Sequence, residues 1–405
     1  MKSIVLQQYL LGYELPDTII LLTLEGHCTV LATKKKCDFF RAAVGKAPPG
    51  SKILDLTLLE RNKEDNNEKN YSILLDQAKK STTTTTENDG EKVKLGCFMK
   101  EWDENMEATG TVLTGWQTVV DESSQDVEKV DIAPGLGFAM AIKDETELDL
   151  MKKSSVLSNK VLKHGLIPKL EEIIDSEQTI SHEKLALQIE EIIENPSKIK
   201  LKVPQEHVQS CYFPIVQSGG NYDIRLSASS SDKTLKYDIV IVSFGARYQF
   251  YCSNVSRTFL IDPPKQVSET YELLLAVHEE CLKAMVPGQN LKSVYLAAVN
   301  KLRRQGREDL VKKLPKNLGF AIGLDFRESA LLLSPKCPAI LRAGMVFNLS
   351  VGFSNITLDE KDKATVNSNS AVRTSTTNIL LYHPYTWFLY FFILLVLSFC
   401  VILSY

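Results

Sequence analysis

No CxxC pair occurs anywhere in the 405 residues. The eight cysteines, Cys28, Cys37, Cys97, Cys211, Cys252, Cys281, Cys337 and Cys400, are scattered along the chain. That argues against a knuckle-type zinc site, which needs closely spaced thiolates. It also argues against a disulfide framework, because a chain this long can bury a core large enough to stand without staples. The thiols are expected to be reduced and mostly buried, as in an intracellular protein. An excess of one charge is missing too: 47 Lys and Arg face 50 Asp and Glu, a net charge of −3. Such a balance gives no whole-molecule field toward nucleic acid. A basic partner would have to meet local acidic stretches. No secretory leader is expected, since Met1 is followed by one lysine and a mixed stretch running into Tyr13 and Pro16. No basic import run stands out; Lys34, Lys35 and Lys36 are too few. His182-Glu183-Lys184 lacks the second histidine of a HExxH zinc helix, so His182 is expected at the surface. His164, His207 and His278 show no metal spacing and are expected in surface or packing roles.

What is present is an ordinary globular composition, 44% hydrophobic and 24% charged, long enough for two domains. Residues 18–33 alternate apolar runs around Gly26, which predicts a hairpin. A helix over 38–44, a strand over 53–59, a helix over 71–80 and a strand over 92–98 follow. This β–α alternation predicts a small α/β lobe over residues 1–135, expected to be truncated at its start. The threonine run after Ser81 reads as a disordered insertion. Helices are predicted from Ala141, over 162–174, and after a Ser181 cap. Residues 211–353 are richer in strands, and the boundary is placed near 130–140. Residues 358–378 are polar and read as a linker. The segment Tyr385–Tyr405 carries no charge and is long enough to span a bilayer. The tail 379–405 is therefore either a membrane anchor or an aberrant terminus; the second reading is favoured, because the sequence switches inside a domain.

Three ordered blocks carry a resemblance. Residues 237–260 read YDIVIVSFGARYQFYCSNVSRTFL, residues 317–328 read NLGFAIGLDFRE, and residues 341–352 read LRAGMVFNLSVG. They resemble the GDIVxIDxGxxxxGYxxDxSRTF, GHGIGLxxHE and LxxGMVFTIEPG blocks of the pita-bread enzymes: methionine aminopeptidases, prolidases and creatinase. The implied fold class is α+β, a small α/β lobe followed by a pita-bread domain over residues 140–357. Active members hold two divalent metals with two Asp, one His and two Glu, and the metals activate the attacking water. At the positions that align, this chain has Ser243, Asn254, Phe320 and Ser350. The block with the last Glu is not found beyond Ile356. Arg327 stands where the family's middle block has a second histidine. Creatinase works without metal through a histidine; the matching position here falls near Leu226, with no histidine close by. The resemblance therefore implies a pseudo-peptidase with no cofactor.

Further segments narrow the likeness. LGYELPDT (11–18), KDETELDLMKK (143–153), QSGGNY (217–222) and YCSNVSRT (251–258) resemble the N-terminal region of the large subunits of the FACT histone chaperone. That resemblance implies a non-catalytic, histone-binding module supporting nucleosome reorganisation in transcription, replication and repair. It implies a nuclear, chromosomal location, histones and the small HMG-type FACT subunit as partners, and indirect contact with nucleosomal DNA. Candidate partner-binding residues are Gly219, Asn221, Tyr222 and Arg327, with the acidic stretches at 101–107 and 121–126 as meeting points for basic tails. Two other classes remain: an active metal-dependent aminopeptidase or prolidase, and a membrane-anchored protein held by residues 385–405.

Overall fold

The computed structural model describes residues 1–43, 56–83, 92–104, 111–220, 222–356, 370–379 and 402–403. They fall into two compact units, Met1–Leu136 and Gly137–Tyr405.

The first unit opens with α1 (Lys2–Leu11) and the hairpin of β1 (Ile19–Leu22) and β2 (Cys28–Ala32), turning at Gly26 with φ of 90°. Helix α2 (Lys34–Ala43) leads toward β3 (Leu56–Glu60), which lies parallel to β2, as a helical crossover allows. Helix α3 (Glu68–Thr83), β4 (Val93–Cys97), α4 (Met99–Glu104), α5 (Thr111–Glu122) and β5 (Val127–Asp131) complete it, with β4 and β5 parallel. Leu31, Leu74, Leu95, Val112, Trp116 and Val120 pack as its core. Ser81–Thr83 close α3 and are not part of a disordered insertion; residues 84–91 lie outside the described residues. Thr has enough helical tolerance at a helix end for the turn to run on.

The acidic stretches have local work. Glu101 accepts hydrogen bonds from the Ser3 N–H at 3.3 Å and the Ser3 hydroxyl at 2.5 Å, so its carboxylate sits at the positive end of α1. Asp121 pairs with Lys129 at 2.5 Å.

The next helix in chain order is α6 (Ala133–Ala139); in the second unit, α7 (Glu145–Val161) starts on a capping box. The Glu147 N–H donates to Asp144 Oδ1 at 2.8 Å, and the Asp144 N–H donates to Glu147 Oε2 at 3.0 Å. Helix α8 (Ile167–Asp175) and α9 (His182–Glu194) follow; Ser181 caps α9 by accepting from the Lys184 N–H. The strands are β6 (Val208–Ser210), β7 (Ile215–Gln217), β8 (Ile239–Phe244), β9 (Ala246–Tyr248), β10 (Tyr251–Cys252) and β11 (Val255–Ile261). Helices α10 (Lys265–Ala284) and α11 (Leu291–Arg304) come next. Then come β12 (Gly319–Ala321), β13 (Glu328–Leu332), β14 (Val346–Ile356), β15 (Ser370–Ile379) and β16 (Ile402–Leu403). The main sheet has eight strands in the order β13-β12-β14-β15-β11-β8-β7, with β16 pairing in parallel with β11. A small sheet of order β10-β9-β6 stands apart from it.

Strand periodicity explains why the main sheet has helices on both faces. In β8, Ile239 and Ile241 point into a core shared with Val267, Leu274 and Val277 of α10 and Leu291 and Val294 of α11. The intervening Val240, Val242 and Phe244 point into a second core, with Leu157 and Val161 of α7, Leu170 and Ile173 of α8, and Leu185 and Ile189 of α9. Each such side chain contributes about 1.5–3 kcal/mol by leaving water.

One expectation is corrected here. Residues 370–378 are not linker: they belong to β15, which runs antiparallel to β14 with Ser350 opposite Ser375. The segment SAVRTSTTNI is polar in composition, but threonine and valine favour the pleated backbone, and β14 supplies a partner. Of the apolar tail, residues 380–401 and 404–405 lie outside the described residues. Among the described residues no helix is long and apolar enough to cross a membrane.

Candidate functional site

Pairing register lines up one row of residues across the main sheet. Ser243 of β8 stands opposite Ile215 of β7 and Ser256 of β11. Ser256 stands opposite Ser375 of β15, and Ser375 opposite Ser350 of β14. Asn348, two residues before Ser350, is opposite Phe320 of β12. Positions 243, 350 and 375 therefore share one row, although they are remote in sequence. Asn254 enters β11 just before Val255, and its amide donates to Asn348 Oδ1 at 3.4 Å.

Ser243, Asn254, Phe320 and Asn348 are buried, and Ser350 is half-buried. The backbone N–H of Ser350 donates to the Leu318 carbonyl at 2.7 Å, which ties β14 to the start of β12. The residue that organises the centre is Tyr212. Its hydroxyl lies 2.9 Å from Ser243 Oγ and donates to Asn254 Oδ1 at 2.6 Å. A phenol has one proton to give, so Ser243 is the donor in its own contact with the phenol. The Tyr212 ring meets Phe326 edge-on at 5.1 Å between centroids, and Phe326 meets Phe320 at 5.6 Å. The exposed Arg327 places its guanidinium carbon 5.7 Å from the Phe320 ring centre, within cation–π range. Tyr212 was missed by sequence reasoning because its partners lie 31 and 42 residues away, and no local pattern announces such contacts.

A pair of divalent cations does not fit this donor set. Hard cations need anionic oxygen or imidazole nitrogen around them. Hydroxyls, one amide and a phenyl ring line the aligned positions, and a phenol oxygen already bridges two of them. Two dications there would be buried charges without counter-charge. Among the described residues no group of three or more His, Cys, Asp and Glu side chains is placed to hold a metal ion.

The proposed partner residues separate into two places. Arg327 belongs to the aromatic cluster just described. Gly219 and Tyr222 lie on the loop after β7: the Gly219 N–H donates to Asp238 Oδ1 at 3.3 Å, and the Tyr222 phenol donates to the Ile239 carbonyl at 2.7 Å. Burial, and then the nearby Asp238, push the Tyr222 phenol above its ordinary range. Asn221 lies outside the described residues.

The same loop corrects the expectation for His182. It is buried, not on the surface. Its Nε2 is 2.8 Å from Ser218 Oγ and its Nδ1 is 3.0 Å from Ser231 Oγ. Ser218 also accepts from the Lys236 N–H at 2.7 Å. Burial first, then the Lys233 cation, hold the imidazole below its ordinary range, so the neutral ring serves as the pin of this loop.

The model of metallopeptidase family M24 matches residues 149–377, which carry this row and most of its sheet. The model of the FACT complex subunit SPT16 N-terminal lobe domain matches residues 1–135. FACT complex subunit SPT16 of Oryza sativa subsp. japonica is 37% identical over 368 residues, covering 90% of this chain and 33% of that protein. The SPT16 of Dictyostelium discoideum is 35% identical, covering 88% of this chain and 32% of its own length. The solved N-terminal domain of SPT16 from Cicer arietinum superposes with a TM-score of 0.84 at 32% identity, over 94% of this chain and 85% of that one. A prolidase from Pyrococcus furiosus superposes with a TM-score of 0.65 at 18% identity, over 94% and 92%, and shares the fold. The chain belongs to the SPT16 family, in its N-terminal domain. It spans about a third of the length of the curated relatives it matches.

Proposed function

We propose that this chain acts by binding and not by cleavage, as the peptidase-like part of a histone-chaperone subunit in the FACT complex. The observation that carries the reading is the donor set: Ser243, Asn254 and Ser350 offer neutral oxygens, Phe320 offers none, and the Tyr212 phenol ties the first two together. A peptidase of this fold generates its nucleophile on paired metals, and these positions lack the charge to hold them. The curated relatives carry the name of a FACT complex subunit, which fits a role outside peptide hydrolysis.

In this reading histones are the partners, the small HMG-type FACT subunit joins through parts of the longer family protein, and nucleosomal DNA is met indirectly, in the nucleus and on chromosomes. The contact residues in this reading are Gly219, Tyr222, the exposed Arg327 and, outside the described residues, Asn221. The acidic stretches contribute less than their composition promises, since Glu101 and Asp121 are already engaged.

The test is a pair of assays on the purified chain. Immobilised core-histone complexes are expected to retain it at physiological salt. Incubation with Met-initiated and proline-containing peptides in the presence of Mn²⁺ or Co²⁺ is expected to give no cleavage above a metal-only control. Metal-dependent cleavage, or no retention on histones, would overturn the reading.

A further inference from the structure

The donor set is one reason a metal pair does not fit; the volume itself is a second, separable one. Tyr212 lies between β6 and β7, where the backbone is tied on both sides. The Cys211 N–H donates to the Gly245 carbonyl at 2.9 Å, and the Ser210 hydroxyl donates to the Tyr212 carbonyl at 2.7 Å. These bonds fix the direction from which the phenol enters. Phe326 flanks the ring at 5.1 Å. The hydroxyl then ends between Ser243 Oγ at 2.9 Å and Asn254 Oδ1 at 2.6 Å. Those are the two side chains that would bracket a cation shared by β8 and β11. Metal–oxygen distances are about 2.0–2.6 Å. A cation placed between the two side chains, where the phenol now bridges them, would meet the phenol oxygen.

We propose that Tyr212 is a built-in plug of the former metal site: its phenol occupies the cation's place and takes over the cross-link between β8 and the entry to β11. The phenol does electrically what the site now needs. It is neutral, it donates to the amide oxygen, and it accepts from the serine, so the half-buried phenol and its two buried partners are satisfied without a counter-charge. Restoring carboxylates around it is not enough to recover metal binding, because the phenol keeps the space. The proposal rests on the reading that this site holds no metal pair, but not on histone binding, so a failed histone assay leaves it standing.

The experiment is a Co²⁺ titration followed by visible absorbance, with the metal alone as probe. One variant carries Ser243→Asp, Asn254→Asp, Phe320→His, Ser350→Glu and Ser375→Glu with Tyr212 kept; a second adds Tyr212→Ala. The first is expected to show no saturable uptake and the second to gain it. Equal uptake in both, or none in either while both remain folded by circular dichroism, overturns the proposal. Because five substitutions can cost the fold, a double-mutant cycle on the natural chain stands beside it. Tyr212→Phe is expected to lower Tm by about 3–6 °C, since it leaves a buried amide oxygen without its donor. In an Asn254→Ala, Ser243→Ala background the same change is expected to shift Tm far less. Additive shifts would mean that the phenol does not hold these partners, and the proposal would fail.

Discussion

His278 makes the stability of the second unit depend on pH in a calculable way. It sits on α10 with none of its surface exposed. Burial, and then the Arg257 cation, push its imidazole down to about 3 from an ordinary 6.5. With the folded value below the unfolded one, the unfolded chain takes the proton first as pH falls. The contribution is fully present above 6.5 and is lost as pH drops toward about 3. Each unit of pH in that window removes up to about 1.4 kcal/mol. Between pH 7.5 and pH 5.0 the group alone should cost about 2 kcal/mol. Urea unfolding at both values, compared with His278→Leu, isolates it, because the carboxylates common to both chains cancel. The natural chain should lose about 2 kcal/mol more than the variant over that interval. Parallel losses in the two proteins would refute the argument, showing that His278 is protonated in the folded state or reached by water.

Other substitutions probe the same architecture. Gly319 has φ of 146° and a Cβ there would collide with the Asn348 carbonyl, so Gly319→Ala should cost more than about 2 kcal/mol in urea unfolding and disturb the β12–β14 pairing. Asp144→Ala removes one half of the capping box of α7 and should cost about 1 kcal/mol, read as a small drop in Tm with the unfolding slope unchanged. His182→Ala takes the ring away from Ser218 and Ser231 and should cost about 2–3 kcal/mol, with faster amide exchange at Ser218 and Lys236.

The fold was legible through the three ordered blocks at 237–260, 317–328 and 341–352, and the strand-rich reading of 211–353 agrees with strands β7 to β14. Residues 239–244 alternate between two cores, and both sets are apolar, which is the signature of a sheet covered on both faces. Ser181 precedes α9, so that cap was read from the sequence, whereas the box of Asp144 and Glu147 at the start of α7 was not. Contacts that join distant segments left no such mark. Tyr212 reads as one aromatic in a mixed stretch until β8 and β11 bring Ser243 and Asn254 to its hydroxyl. His182 follows a cap on a helix that looks half-exposed, and only the return of the loop from Ser218 to Ser231 buries it. Strand β15 was hidden by composition: Ser, Thr and Asn dominate Ser370–Ile379, and polarity alone does not separate a loop from a strand whose pairing supplies the order. That is why the row position of Ser375 emerged from the register with Ser350 and not from a motif.

In the proposed reading the natural chain lacks both the charge and the room for a pair of divalent metals. Equilibrium dialysis of the purified chain against Mn²⁺ or Co²⁺, followed by elemental analysis, tests it most directly. No stoichiometric retention of either ion is expected. Two ions retained per chain, and lost when Ser243, Asn254 and Ser350 are replaced by alanine, would contradict it.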